Sequence, residues 1–130
     1  MKVMVGIGCD RNTGLQTLLE ALTLALQQVG IDETSVAGLA SIDKKSDEAA
    51  LLQLAENHGW PLHFYPAEEL ALIPVPNPSE VVRKYMGTPA VAEAAALKAA
   101  NADTRDLLVE KVKYLGADGK NATVSIARMR

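Results

Sequence analysis

The stretch VGIGCDRNTG, residues 5–14, sets a thiol, a guanidinium and a hydroxyl in a glycine-rich turn. It follows an apolar run and precedes a leucine-rich helical pattern, so a helix N-terminus opens on it. Such an end presents free N–H groups and partial positive charge, and Arg11 adds a full charge in a carboxylate-shaped fork. The chemistry on offer is anion binding. The spacing excludes two nucleotide motifs. After Gly6 and Gly8, the third glycine of a dinucleotide fingerprint is replaced by Arg11. A P-loop needs four residues between its glycines and then a lysine; Gly8 to Gly14 is one residue too long, and Leu15 follows. A carboxylate ligand remains as the fitting anion. The competing reading is a tight turn with a solvated Arg11.

Two further regions share this character. The second apolar run ends in Asp43, Lys44, Lys45, Ser46, Asp47 and Glu48. Asn77-Pro78-Ser79 and Gly87-Thr88-Pro89 each place a capping residue before a proline, a helix start. In open α/β sheets ligands lie beyond the carboxyl ends of the strands. The turns 8–13, 43–48 and 87–88 are therefore expected to converge on one pocket, for a ligand with several carboxylates. Its contacts are Gly8, Cys9, Arg11, Thr13, Lys44, Lys45, Asp47, Glu48, Asn77, Ser79, Gly87 and Thr88. Asp43, at a strand end, and Glu93, one turn into a helix, are the carboxylates placed for proton transfer. Structural roles for both are the competing reading. Cys9 is either a nucleophile with a lowered pKa or a buried structural thiol, and no Cys-His-Asn spacing supports the former. His58 and His63 are too few for a metal site, and His58 suits a helix C-terminus. No metal and no cofactor are expected.

The elements that must position these groups follow from periodicity. Residues 2–7 read as a buried strand. Over 13–29, Leu15, Leu18, Leu19, Leu22, Leu26 and Val29 fall on one helical stripe. Thr13 with Gln16 fits a capping box, and Gly30 a left-handed cap. A second strand over 36–42 leads to a helix over 47–58, stopped at Gly59-Trp60-Pro61. A short strand at 62–65 and one or two helical turns at 67–72 come next. The proline-rich 73–80 is stiff and extended, and 90–100 is an alanine-rich helix able to pack closely on a sheet. Residues 106–115 and 122–128 alternate around the polar turn GADGKN, a terminal hairpin in which Lys111 and Lys113 form a polar face. The expected fold is a three-layer α/β/α domain over 1–130, with a mixed sheet of about five strands.

Composition narrows the class. Of the 130 residues 48% are hydrophobic and 22% charged, a soluble globular balance. A net charge of -3 argues against a nucleic-acid partner. One cysteine forms no internal disulfide, no secretory leader is visible, and no apolar run reaches a membrane span. A cytoplasmic protein without membrane association is expected.

Taken in order, VGIGCDRNT, SIDKKSDEAAL, VPNPSEVV, GTPAVAEAAAL and ATVSIARMR resemble the CobE/CbiG C-terminal family of cobalamin biosynthesis over nearly the whole chain. Where that family carries a basic residue in the first turn, Asp10 stands, and the basic residue is Arg11. The resemblance implies a role on a precorrin-type tetrapyrrole, whose acetate and propionate rim suits helix N-termini, Arg11 and Lys44 or Lys45. The longer family members open a lactone ring; this chain matches only their last domain. An accessory module docking on another pathway enzyme is the alternative, and a generic anion or nucleotide binder the third.

Overall fold

In this computed structural model residues 1–75 and 91–130 are described. Five strands, β1 Val3–Cys9, β2 Val36–Ile42, β3 Leu62–Tyr65, β4 Leu107–Leu115 and β5 Asn121–Arg128, form one sheet in the order β3-β2-β1-β5-β4. The β1–β2 and β2–β3 pairs are parallel, and β5 runs antiparallel to both β1 and β4. The sheet is mixed and ends in a hairpin, as the alternation of the sequence requires. Helices α1 Leu15–Val29 and α2 Ala49–His58 cover one face; α3 Ala67–Leu70 and α4 Val91–Ala100 cover the other. Among the described residues no helix is long and apolar enough to cross a membrane.

β1 is buried on both faces, and its alternation assigns each residue a layer. Val3, Val5 and Ile7 meet Leu18, Leu22 and Leu26 of α1. Met4 joins Ala96, Leu97 and Ala100 of α4. Between them Gly6 has no room for a side chain: a Cβ there would stand 1.9 Å from the Ala92 carbonyl oxygen. α4 therefore presses its backbone onto β1. Its alanines make that approach possible, and Ala92, Ala94, Ala95, Ala96 and Ala100 are all buried.

Several local expectations move. The stop of α1 is as expected, with Gly30 at φ 75° and its N–H directed to the Leu26 and Gln27 carbonyls. Its start is not. Gly14 is the N-cap residue and gives no side-chain cap. Thr13 instead donates its hydroxyl to the Asp10 carbonyl at 2.6 Å, so the Thr13–Gln16 capping box does not form. α2 begins at Ala49 rather than at residue 47, because Asp43–Lys45 form a separate 3-10 turn. The C-terminus is tied down: Arg128 and Arg130 reach Asp106 at 3.0 and 2.7 Å, and Asp106 is buried.

Gly6→Ala is expected to destabilise the fold by about 1–3 kcal/mol or more, since rigid backbone must give way. Gly8→Ala, with no described residue within 4 Å of its added carbon, is expected to stay near parental stability. Urea unfolding of both variants checks the contrast; equal stability would show that α4 does not rest on Gly6.

Candidate functional site

The β1–α1 and β2–α2 turns meet at the carboxyl end of the parallel strands. Arg11 makes the junction. Its Nη1 donates to Asp47 Oδ1 at 2.7 Å and to Glu48 Oε1 at 2.8 Å, and its Nη2 to the Lys44 carbonyl at 3.1 Å. Asp47 is exposed, and its carboxyl is held below the usual range chiefly by the hydrogen bond from Arg11. Glu48 is buried and also accepts from the Asn12 backbone N–H, at 3.0 Å to Oε2. That bond holds Asn12 in the left-handed region, φ 64°, which shapes the turn. Glu48 and Arg11 are thus partnered within the chain.

The N-terminus of α1 is occupied as well. Asp118, in the β4–β5 turn, accepts from the Gly14 N–H at 2.8 Å and the Thr17 hydroxyl at 2.9 Å. Its carboxyl is held low, first by the Gly14 bond. The anion that this helix end calls for is the protein's own. Sequence reading missed Asp118 because it stands 101 residues from Thr17; the Asp-Gly pair signals a turn but not what the turn reaches. Asp10 is similarly fixed, accepting from the Asn121 backbone N–H at 2.8 Å.

Cys9 is half-buried against the α1 layer, and burial pushes its thiol up despite nearby Lys45. Desolvation thus outweighs the local positive charge, which favours the structural thiol of the two alternatives. Thr13 is buried behind the turn. Among the described residues Lys44 and Lys45 form no salt bridge, and both stand at this edge. Asp43 is exposed at the head of its 3-10 turn, not in a desolvated cleft.

Gly8 and Glu93 belong to the other face. Gly8 follows Met4 and Gly6 in the alternation toward α4, and it pairs with Thr123. Glu93 is 1% exposed on α4, with Lys111 Nζ at 3.0 Å from Oε1. The ammonium forms an ion pair with the buried acid, and among the described residues no other group bonds to either Glu93 oxygen. Burial raises the Glu93 carboxyl above the ordinary range, more than Lys111 lowers it. Lys111, read as part of a polar strand face, is in fact the partner of this buried acid. Asn77, Ser79, Gly87 and Thr88 lie outside the described residues.

Two surface depressions, of about 360 and 430 Å³, lie along the solvent side of α1 and include none of the predicted site residues. What comes together is the pair of turns, through Arg11.

Known proteins similar to this chain agree in kind. The model of the family described as cobalamin synthesis G C-terminus matches residues 3–127. The cobalt-precorrin-5A hydrolase of Priestia megaterium is 33% identical over 123 residues, which is 95% of this chain and 31% of the hydrolase. The chain thus spans less than a third of that relative. Protein CobE of Sinorhizobium sp is 33% identical over 112 residues, covering 85% of this chain and 72% of that protein. The crystal structure of CobE, a protein of the cobalamin (vitamin B12) biosynthetic pathway, superposes with a TM-score of 0.80 at 33% identity. It covers 99% of this chain and 91% of its own.

Asp118→Ala is expected to lower the melting temperature at neutral pH by removing the α1 cap. The folded carboxyl titrates below its unfolded counterpart, so its contribution is present above the ordinary carboxylate range. It is lost as pH falls below about 4, where parent and variant should converge. Thermal melts from neutral to acid pH check this; a gap that persists at low pH would assign the effect to something other than the charged cap.

Proposed function

Because this chain belongs to the cobalamin synthesis G C-terminus family, we propose that it binds a precorrin-type tetrapyrrole intermediate through that ligand's carboxylates. The observation that carries this reading is the joined edge of the β1–α1 and β2–α2 turns. Arg11 locks the two turns together, and among the described residues Lys44 and Lys45 beside it form no salt bridge. A shallow, solvent-facing edge suits the acid rim of a macrocycle better than its flat face, and few aromatic residues are available for stacking: they are 4% of the chain. A cytoplasmic setting goes with this reading, since the single thiol asks for no oxidising compartment.

A docking module for another enzyme of the pathway is the second reading. It is favoured by the internal neutralisation of the turn: Asp118 fills the α1 N-terminus, and Asp47 and Glu48 already hold Arg11. Chemistry at Asp43, an exposed carboxylate at the head of its turn, is the third possibility.

Titration with purified precorrin intermediates, followed by visible absorbance, separates these readings. Cobyrinic acid, a corrin with free acetic and propionic side chains, serves as a stable probe, and its fully amidated counterpart as control. The parent is expected to bind the acid and not the amide. Lys44→Gln with Lys45→Gln is expected to weaken binding on the order of ten-fold, two charge-assisted contacts being lost. Equal affinity for acid and amide, or none for either alongside capture of a pathway enzyme, would favour docking. Asp43→Asn lowering turnover by about 10²–10⁴-fold, with binding intact, would mark a general acid or base.

A further inference from the structure

Arg11 Nη1 donates to two carboxylates at once, Asp47 Oδ1 at 2.7 Å and Glu48 Oε1 at 2.8 Å. The two acids are unlike. The Glu48 side chain is 3% exposed and also accepts from the Asn12 N–H, so its place is fixed. The Asp47 side chain is 76% exposed, and among the described residues Arg11 is its one long-range hydrogen-bond partner. In an exposed pair of this kind water competes for both members, and the pair contributes little to stability. The two turns stay joined without it: Glu48 remains on Nη1, and Nη2 donates to the Lys44 carbonyl at 3.1 Å.

The guanidinium is also open to solvent. Its side chain is 52% exposed, and described residues engage three of its five N–H donors. Lys45 belongs to the same neighbourhood, since its charge acts on Asp47, Asp10 and Cys9. The Asp47 carboxylate thus sits on a guanidinium and in the field of an ammonium. A ligand carboxylate arriving at this edge would seek the same setting, and the protein has a surface carboxylate of its own already in it.

We propose that Asp47 is a built-in stand-in for a ligand carboxylate: it occupies Arg11 in the free protein and swings into solvent when a carboxylate of the ligand takes its place on the guanidinium. The inference rests on the reading of the ligand as a carboxylate-rich corrinoid, and it adds Arg11 to Lys44 and Lys45 as a contact. The exchange conserves charge. One carboxylate leaves Nη1 as another arrives, so Glu48 keeps its partner and no proton moves. Asp47 is already exposed, so its release demands little new hydration. Until the ligand comes, the stand-in keeps the cation paired and the turn ordered. It lowers the apparent affinity in proportion to the time it is in place. It also selects: a monocarboxylate meets Asp47 as an equal competitor, whereas a polycarboxylate that reaches Lys44 and Lys45 at the same time displaces it.

Titration with cobyrinic acid, followed by visible absorbance, tests the exchange. Asp47→Asn is expected to bind it about two- to six-fold more tightly than the parent, the gain that removing a competing surface ion pair can give. Arg11→Lys keeps a charge beside Glu48 but lacks the fork. It is expected to bind more weakly, and adding Asp47→Asn in that background is expected to bring no gain. In the parent, labelled at the aspartate carboxyl carbons, the Asp47 NMR signal is expected to move to the position of a solvated aspartate as cobyrinic acid binds; this readout depends on no variant folding. Unchanged or weaker binding by Asp47→Asn, an equal gain in the Arg11→Lys background, or an Asp47 signal unmoved in the complex overturns the exchange and leaves the proposed function standing. Failure of the parent and of Asp47→Asn alike to bind any corrin polycarboxylate overturns both.

Discussion

The contact on which the rest of the molecule depends is backbone against backbone: the Ala92 carbonyl of α4 resting on Gly6 of β1. β1 is the middle strand of the sheet, paired in parallel with β2 and antiparallel with β5. A helix seated directly on it fixes the second layer for the whole fold. The approach needs glycine below and alanine above, because any larger pair would lift the helix and open voids around Leu97 and Ala127. It also decides where Glu93 stands, one residue beyond the contact and turned toward Lys111 of β4.

The other layer is governed by charge. The turn between β1 and α1 has the makings of an anion site, and the protein fills them from within. Asp118 arrives from the far hairpin to cap α1, Glu48 arrives from α2 to hold Asn12 and Arg11, and Asp10 is engaged by Asn121. A turn bonded on every side is rigid, and rigidity at the carboxyl end of a strand is what a binding edge requires. Among the described residues it leaves Lys44 and Lys45 outside any salt bridge and makes Arg11 a fastener between turns. Asp10, Asp47 and Asp118 are held low chiefly by the bonds they accept, so their contribution is fully present near neutral pH.

The last residues of β1 point to different layers and so divide the chemistry. Cys9 packs toward α1, in a setting where burial keeps the thiol protonated. Gly8 faces the layer of α4, with no described residue within 4 Å of where a side chain would begin. The carboxyl end of one strand thus borders two unlike environments, the bonded turn on the α1 side and the layer of α4 on the other.

What the sequence by itself determined follows from local rules. The period of α1, the glycines that stop α1 and α2, the alternation of β4 and β5 and the alanines of α4 all act within a few residues. Each was legible for that reason, and so was the α/β class. The convergence of Arg11 with the 43–48 turn was also legible in outline, since parallel strands carry their following turns to the same edge. What only the tertiary structure decided is who partners whom across the chain. Asp118 caps a helix 101 residues away, Lys111 finds Glu93 through a bulged strand register, and Gly6 owes its identity to a helix that no nearby residue announces. Those choices depend on three-dimensional proximity, and a side chain's burial and bonding state, unlike its helix or strand period, has no local code.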